Sequence, residues 1–133
     1  MNSNERIVNL LRQSKSFFFA TSNDDQPSVR PFNAVVEFEG RVYLYTNNHN
    51  SAYMQIHTNP KIGIGAMLGD DRWLKLKAEV VFDDRISAKK AMLDANPSLR
   101  KIYSENDKIF EVFYLTNIKA KIHSNYESPE TIC

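Results

Sequence analysis

Residues 46–51, TNNHNS, are the stretch of this sequence whose side chains could best hold an anion. They begin at the last residue of RVYLYT, a pattern typical of a strand, and end at the first residue of SAYMQIHT, a pattern typical of a helix. The first turn of a helix leaves backbone N–H groups without partners, and the helix dipole is positive there, so both favour a bound phosphate. Arg30, in the earlier segment VRPF, could add a full positive charge.

We interpret this junction as the phosphate site of a cofactor. Its predicted side-chain donors are Thr46, Asn47, Asn48, Asn50 and Ser51. The same side chains would also suit a turn followed by a helix cap with no ligand, and a single arginine is often solvated or ion-paired. Taken one by one, these residues leave both interpretations open.

Other motifs give less support for chemistry. GIGAMLG, at residues 63–69, has two glycines of the dinucleotide fingerprint, but the third is out of register, and a turn and a strand follow in place of a helix. We interpret these glycines as positions where a strand bends or another backbone approaches. The three histidines, His49, His57 and His123, show no metal-ligand spacing, and no GxSxG motif occurs. The sequence therefore predicts neither a metal site nor a hydrolase.

Length and composition are those of one ordinary globular domain spanning residues 1–133. Apolar residues make up 42%, and no apolar run approaches the roughly 20 residues that cross a bilayer. The 17 basic and 16 acidic residues are spread along the chain, so its net charge of +1 does not call for nucleic acid as a partner. Residues 1–15 have no secretory pattern, and the only cysteine, Cys133, is terminal. We expect a cytoplasmic protein with no membrane segment and no internal disulfide.

Local patterns predict mostly short strands. The chain is expected to begin with a helix around Ile7 and Leu11, followed by a strand at 17–21 and a turn at 23–27. A strand at 28–38 and a strand at 41–46 then flank a turn at Glu39 and Gly40. After these come a helix capped by Ser51 and two strands, at 61–68 and 72–82. A helix capped by Ser87 and ending before Pro97 follows, and two last strands, 109–115 and 118–123, flank a turn at Thr116 and Asn117.

Two of these strands carry further information. Pro31 lacks an N–H, so its strand must lie at an edge, begin there, or bulge. In 72–82 the residues alternate, with Trp73, Lys75 and Lys77 on one face and Leu74 and Leu76 on the face toward the core. Closely spaced antiparallel strands with short helices favour a mainly β fold, a small Greek-key-like barrel, with an OB-type barrel as the nearest alternative.

The order of several motifs resembles the pyridoxamine phosphate oxidase-like superfamily of split-barrel FMN proteins, in particular its short, nitroimidazole-resistance-type group. The motifs are ATS, VRPF, YLYTNN, NPK and WLKLKAEV, followed by AMLDANPSLRKIY and EVFYLTNIKAKI. The resemblance therefore covers nearly the whole chain.

This resemblance implies a homodimer of split barrels that holds FMN at the subunit interface. By position, Arg30 and residues 46–51 would bind the phosphate and the ribityl chain, Pro31, Phe32 and Asn33 would line the edge of the isoalloxazine ring, and Trp73 would approach the flavin region from its own or the partner subunit. Tyr45, His49 and Trp73 are candidates for the substrate face. Many relatives have lysine where this chain has Asn50, so its phosphate site would carry less charge.

The function expected on this basis is an FMN-dependent oxidoreductase that acts on a small molecule, with an electron donor such as NAD(P)H. A flavin-binding or small-ligand-binding protein without turnover is the main alternative. An OB-like nucleic-acid binder with aromatic stacking residues is a second alternative. Oxidation of pyridoxamine phosphate itself is less expected, because the chain is short and its sequence shows no obvious second basic cluster for a substrate phosphate.

Overall fold

The computed structural model describes all residues 1–133 and is built from three α-helices, eight strands and one 3-10 turn. The helices are α1 (Ser3–Ser14), α2 (Ser51–Thr58) and α3 (Ile86–Ala95), and the 3-10 turn is Pro97–Lys101. The strands are β1 (Phe17–Asn23), β2 (Gln26–Phe32), β3 (Val36–Phe38), β4 (Arg41–Asn47), β5 (Lys61–Met67), β6 (Arg72–Asp83), β7 (Phe110–Ser124) and β8 (Glu130–Thr131). No helix has the length and apolar character needed to cross a membrane.

All strands belong to one antiparallel sheet, in the order β2-β1-β5-β6-β7-β4-β3, with β8 beside β7. Phe19 of β1 and Phe113 of β7 lie 5.8 Å apart between ring centroids, although β5 and β6 separate their strands. The sheet therefore curls on itself and encloses a core of 21 buried residues, while a smaller cluster of 9 lies beneath α3. The predicted mainly β fold is confirmed.

The alternation predicted for β6 is also confirmed. Leu74, Leu76, Ala78 and Val80 are buried in the core, whereas the lysines between them are exposed. Successive side chains of a strand point to opposite faces, so one face of β6 supplies the core and the other forms an outer surface. The outer surface is described below because it carries an unusual set of charges.

The segment predicted as one strand, 28–38, is divided in two. β2 ends at Phe32 and β3 begins at Val36, and these two strands lie at opposite edges of the sheet. Residues 33–35 carry the chain between the two edges, with Ala34 and Val35 buried on the way. The edge position of β2 explains why Pro31 is tolerated, because one side of an edge strand needs no ladder hydrogen bond.

The predicted turn at Thr116 and Asn117 is wrong. β7 runs unbroken from Phe110 to Ser124, and its pairing with β6 shifts by one residue between Lys77 and Glu79. Asn117 has a φ of 52°, a left-handed conformation that asparagine adopts more readily than most residues. A β-bulge, not a chain reversal, explains the turn-like residues here.

Two predicted helix caps are displaced. At α2 the cap is Asn50, whose Oδ1 accepts a hydrogen bond from the Tyr53 backbone N–H at 3.2 Å, and Ser51 is already the first helical residue. At α3 the cap position is Arg85, not Ser87, and no side chain caps that helix.

Arg85 instead joins a charged cluster at the end of β6. It donates to Asp83 at 2.9 Å and forms an ion pair with Glu39 at the β3–β4 turn. The buried Tyr43 hydroxyl donates to Asp83 at 2.7 Å. Hydrogen bonds from Arg85 and then from Tyr43 lower the pKa of Asp83 to about 2, against the opposing effect of burial. The cluster ties the β3–β4 hairpin to β6.

Candidate functional site

A cavity of about 210 Å³ lies where the edge strand β2 approaches β4 across the opening of the curled sheet. Its lining residues are Arg30, Pro31, Phe32, Asn33, Tyr45, Thr46, Asn47, Asn50 and Tyr103. All but Tyr103 were predicted as site residues from the sequence. The structure therefore brings the VRPF segment and the loop after β4 together around one space, although the two are far apart along the sheet.

Arg30 is held in a fixed position on one wall of this cavity. One terminal nitrogen donates to the Phe19 carbonyl at 3.2 Å and to Thr21 Oγ1 at 2.8 Å. The other donates to Ser28 Oγ and to Gln55 Oε1, both at 3.0 Å. Strands β1 and β2 and helix α2 thus all contribute acceptors, and the guanidinium plane is defined before any ligand arrives.

The charge of Arg30 has no counterion within the protein. All four acceptors are neutral, and the ion pairs of the structure involve other cations, Arg6, Arg85, Lys90 and Arg100. Burial lowers the pKa of Arg30, but a guanidinium remains protonated in proteins. A partly buried cation without a carboxylate partner is favourable only if an anion or water compensates it. This wall of the cavity can therefore bind an anion.

The loop at 46–51 offers fewer free donors than its sequence indicated. Thr46 Oγ1 donates to Asn50 Oδ1 at 3.0 Å. The backbone N–H of Asn48 donates to the backbone carbonyl of Ile109, and the backbone N–H of Asn50 donates to that of Asn47. The His49 amide donates to Asn47 Oδ1 at 3.0 Å. Most of these groups hold the loop together. Of the first-turn amides of α2, that of Tyr53 already donates to Asn50 Oδ1, so only those of Ser51 and Ala52 lack a protein acceptor.

Aromatic rings form the wall opposite Arg30. Tyr45 packs against Tyr103 and Phe110, with ring centroids 5.8 and 5.5 Å away. Asn47 Nδ2 donates to the Tyr103 hydroxyl at 3.0 Å, which fixes that ring. Burial raises the pKa of Tyr45, and the facing phenol of Tyr103 adds to this effect. Tyr45 is therefore a neutral hydrogen-bonding group at neutral pH, with an apolar ring beside the cavity.

Four predicted site residues do not line this cavity, and one of them, His49, is exposed in the loop before α2. Asn48 Nδ2 is bonded to the Lys108 carbonyl at 2.6 Å and to Glu111 at 2.9 Å, away from Arg30. Ser51 is exposed at the start of α2. Trp73 lies on β6, where its ring stacks on His123 at 5.6 Å between centroids. From that position Trp73 could approach a flavin only in a partner subunit, and its role stays a prediction.

Sequence reasoning missed Tyr103 and the residues that hold Arg30. Thr21 and Ser28 are register partners in the β1–β2 hairpin, two positions from the pair formed by Phe19 and Arg30. The hairpin register could have revealed both, because alternate residues share a face. Tyr103 follows the 3-10 turn and reaches the cavity only through packing against Phe110, which no local pattern indicates.

A second basic cluster exists, contrary to the sequence interpretation. Lys75 and Lys77 of β6 lie directly opposite Lys121 and Lys119 of β7 on the outer surface of the sheet. These four lysines and His123 line a cavity of about 170 Å³. A neighbouring groove of about 400 Å³ runs over Gly63 and Lys77, and no predicted site residue lines it. The structure contains no group of three or more His, Cys, Asp or Glu residues that could hold a metal ion.

The chain belongs to the pyridoxamine 5'-phosphate oxidase family, whose sequence pattern matches residues 3–108. Its curled antiparallel sheet is the split barrel that the sequence resemblance implied. A NimC/NimA family protein from Clostridium acetobutylicum shares 37% sequence identity with it, over 98% of this chain and 94% of that one, with a TM-score of 0.92. The alternative of an OB-type barrel is therefore excluded.

More distant structures share the fold alone. A candidate 5-nitroimidazole antibiotic resistance protein from Bacteroides thetaiotaomicron has 18% identity, over 89% of this chain and 82% of that one, with a TM-score of 0.65. A heme binding protein from Mycobacterium smegmatis has 14% identity, over 98% of this chain and 57% of that one, with a TM-score of 0.72. No curated protein matched this chain in a sequence comparison.

Proposed function

We propose that the cavity beside Arg30 binds FMN. The phosphate would be held by Arg30, with the amides of Ser51 and Ala52 next to the cavity as further donors, and the ring would lie near Pro31, Phe32, Asn33 and Tyr45. The observation that carries this proposal is the guanidinium of Arg30, which is partly buried, bonded only to neutral acceptors, and placed on the wall of a cavity. Membership of the pyridoxamine 5'-phosphate oxidase family supports the same ligand.

The chemical character of the cavity fits a flavin nucleotide. A fixed cation suits the phosphate, the hydroxyl of Thr46 and the side-chain amides of Asn47 and Asn50 suit a polyol chain, and aromatic rings suit a flat ligand. Its volume of about 210 Å³ is below the range of about 300 to 1,000 Å³ that encloses a ligand of this size. One protomer would therefore cover only part of the molecule.

A second copy of the chain would supply the missing wall. Phe18, Val29 and Met67 are 54%, 65% and 54% exposed on the outer surface of β1, β2 and β5. Phe18 is the register partner of Pro31, which itself lines the cavity. The apolar surface thus adjoins the cavity, and a homodimer that buries it would close the site at the same place.

Bound FMN would supply the transfer of a hydride or of electrons, and the chain would then be an oxidoreductase acting on a small molecule with a donor such as NAD(P)H. The protein's own residues would bind, orient and exclude water. Arg30 would anchor one end of the ligand, and Tyr45, kept neutral by its raised pKa, would offer a hydroxyl without introducing charge.

One observation favours the alternative of a flavin-binding or small-ligand-binding protein without turnover. Apart from Arg30, the cavity lining has no side chain that is charged at neutral pH, and it contains no histidine, carboxylate or lysine that could act as a general acid or base. Any turnover would rest on the ligand alone, and both roles begin with the same binding step.

Titration with FMN tests the proposal. The purified chain is titrated with FMN in a calorimeter and by quenching of flavin fluorescence, with haem in a parallel titration because one relative of this fold binds it. Sedimentation before and after loading measures the oligomeric state. We expect one FMN per chain and a dimer. The loaded protein is then mixed with NADH or NADPH under nitrogen and re-exposed to acceptors.

The outcomes separate the hypotheses. Reduction of the flavin followed by transfer of electrons to an acceptor supports the oxidoreductase. A flavin that binds but is never reduced, or never reoxidised by any acceptor, supports the binding protein. Binding of haem without FMN, or no heat with either ligand at saturating concentration, contradicts the proposal.

A further inference from the structure

Tyr103 lines the candidate FMN cavity but comes from a segment outside the helices and strands around it. This segment, residues 97–109, which we name the strap, consists of the 3-10 turn and the residues that lead into β7. Arg100 ties the strap to α3 through an ion pair with Asp94 at 2.6 Å. Asp107 accepts hydrogen bonds from three backbone N–H groups around it, at 2.7 to 2.9 Å. The strap therefore has a defined shape before any ligand binds.

The ring of Tyr103 turns inward from the strap. Its chain neighbours Ile102 and Ser104 are exposed, whereas Tyr103 is half-buried. Its ring centroid lies 5.8 Å from that of Tyr45, edge to face, and 4.9 Å from that of Phe110. Aromatic contacts of this kind favour particular orientations of the rings. The phenol is thus held beside Tyr45 on the aromatic wall of the cavity.

One hydrogen bond decides how the Tyr103 hydroxyl is used. Asn47 Nδ2 donates to it at 3.0 Å, while Asn47 Oδ1 accepts from the His49 backbone N–H, also at 3.0 Å. Turning the Asn47 amide round would bring two donors together at His49, so its orientation is set. The Tyr103 oxygen is therefore the acceptor of this bond, and its own proton has no acceptor within the protein.

A phenol proton without a protein acceptor, on the wall of a cavity, suits a ligand that accepts hydrogen bonds. Water can accept this proton in the free protein, but a ligand that displaces the water must offer an acceptor in its place. The oxidised isoalloxazine ring carries two carbonyl oxygens and two ring nitrogens as acceptors, against a single N–H donor. Its chemistry therefore matches the free donor of Tyr103.

We propose that the Tyr103 hydroxyl donates a hydrogen bond to the isoalloxazine ring of FMN and thereby favours the reduced form of the flavin. This inference rests on the proposed function, which places the ring near Tyr45. Reduction adds electron density to the acceptor atoms of the ring, and a hydrogen bond to a charged acceptor is stronger than one to a neutral acceptor. The phenol is an uncharged donor, so it tunes the flavin without adding charge to the cavity.

The variant Tyr103→Phe tests this hydrogen bond, because it removes the hydroxyl and keeps the ring that packs on Tyr45. Titration of the full chain with oxidised FMN, followed by flavin fluorescence, gives the affinity of each protein. We expect the variant to bind oxidised FMN about 2-fold to 10-fold more weakly, as for the loss of one neutral hydrogen bond. The visible absorption spectrum of the bound flavin should also shift, because the bond ends on the ring.

The midpoint potential of the bound flavin gives the decisive measurement. It is determined under nitrogen by stepwise reduction in the presence of a reference dye, with FMN-loaded protein. We expect Tyr103→Phe to weaken reduced FMN about tenfold more than oxidised FMN, which corresponds to a potential about 30 mV lower for a two-electron couple. The measurement is made on bound flavin, so it does not depend on how much of the variant is folded.

Tyr114→Phe is the matched control. Tyr114 is also half-buried and also packs against a tyrosine, Tyr43, at 5.5 Å between centroids, but it does not line the candidate FMN cavity. Its substitution removes the same atom from the same kind of surroundings. FMN affinity, absorption spectrum and midpoint potential should all equal those of the unmodified chain.

Two results would overturn the role of Tyr103 while leaving FMN binding intact. The first is a Tyr103→Phe variant whose affinity and midpoint potential both equal those of the unmodified chain. The second is an equal loss of affinity for oxidised and reduced FMN with no change in potential, which would mean that Tyr103 shapes the wall or contacts the polyol chain instead of the ring. Absence of FMN binding by the unmodified chain is a different outcome, because it would overturn the proposed function and this inference together.

Discussion

The guanidinium of Arg30 and the ammonium groups of the four opposed lysines on β6 and β7, which we name the lysine square (Lys75, Lys77, Lys119 and Lys121), present positive charge with different degrees of constraint. Arg30 donates four hydrogen bonds to neutral acceptors on two strands and one helix. The lysines are exposed and make no polar contact with the protein. Arg30 therefore offers one orientation to a ligand, whereas the lysines can adapt to many.

This difference indicates two kinds of recognition. The guanidinium of Arg30 has its four terminal N–H groups bonded within the protein, so it would meet a phosphate through its charge and its Nε–H from one direction. A cation fixed in this way holds the rest of the ligand in register with the cavity, at a small cost in conformational entropy. Flexible lysines lose more side-chain entropy on binding and discriminate less by shape, but they respond strongly to charge. We therefore expect tight and selective binding beside Arg30, and only weak, unselective attraction of anions such as pyrophosphate to the lysine square.

The largest expected effect comes from Arg30→Ala. Loss of a charge-assisted bond to a phosphate costs about 1.5 to 3 kcal/mol, so the dissociation constant for FMN should rise by about 10-fold to 150-fold. Fluorescence titration of the folded variant measures this change. Arg72→Ala, which removes an exposed arginine of β6, and Lys75→Gln/Lys121→Gln should both leave FMN affinity unchanged. An unchanged FMN affinity of Arg30→Ala would contradict the assignment of Arg30 as the residue that binds the phosphate.

Asp83 provides a reference in which the charges are paired inside the protein. Its pKa of about 2 in the fold lies below the value of about 3.9 in the unfolded chain. The folded state therefore binds the proton less well, and the carboxylate stabilises the protein above pH 4 by about 2 kcal/mol. This contribution is lost as the pH falls from about 4 towards 2.

Urea unfolding of Asp83→Asn checks this prediction. The variant should be less stable than the unmodified chain at pH 7 and should lose less stability between pH 4 and pH 2, while FMN and pyrophosphate affinities at pH 7 stay the same. Asp84→Asn, at the neighbouring exposed position, serves as the control. A parallel pH dependence for Asp83→Asn and the unmodified chain would contradict the assignment of the carboxylate.

Asn50→Lys asks whether charge can be added beside Arg30. The sequence alone predicts tighter FMN binding, but Asn50 also caps α2 and accepts from Thr46. Loss of the cap should lower the free energy of unfolding by about 1 kcal/mol. Asn50→Ala removes the cap without adding charge, so we expect FMN to bind Asn50→Lys more tightly than Asn50→Ala. Equal affinities would mean that the lysine does not reach the phosphate.

The smallest expected effect is a difference in how strongly salt weakens the binding of pyrophosphate and of FMN. Interactions of exposed charges are screened more strongly than those of partly buried ones. Raising KCl from about 50 to about 500 mM should therefore weaken pyrophosphate binding by a larger factor than FMN binding. Calorimetry of both ligands across the same salt series checks the order, and a steeper slope for FMN would reverse the comparison.

Local pattern was sufficient to predict much of the first site. The VRPF segment and the TNNHNS loop were recognised from donors, charge and a strand-to-helix junction, and the structure brings them together. Its finer chemistry was not predictable in the same way. The loop amides are mostly used internally, and the acceptors that fix Arg30 include Gln55, which depends on how α2 packs against β1.

The lysine square was hidden for a different reason. The alternation of residues in the sequence was enough to place Lys75 and Lys77 on one face of β6. Their neighbours on the next strand, Lys121 and Lys119, depend on the register of β7. Residues 116 and 117 have the composition of a turn, and a turn there would have ended the strand before Lys119. Only the continuous pairing with β6 shows that they form a bulge, because tertiary pairing outweighs the local preference.

The bulge also changes which residues of β7 are interior. Before it, Phe113 and Leu115 contribute to the core, and after it Ala120 and Ile122 do, so the inward positions change from odd to even numbers. Removing one of the two residues opposite Ala78 would restore a regular ladder, in which Lys119 and Lys121 keep their partners on β6 and stay on the outer surface. The extra residue is therefore not needed for the facing of the lysines, and we expect its removal to straighten β7 and reduce the twist of the sheet.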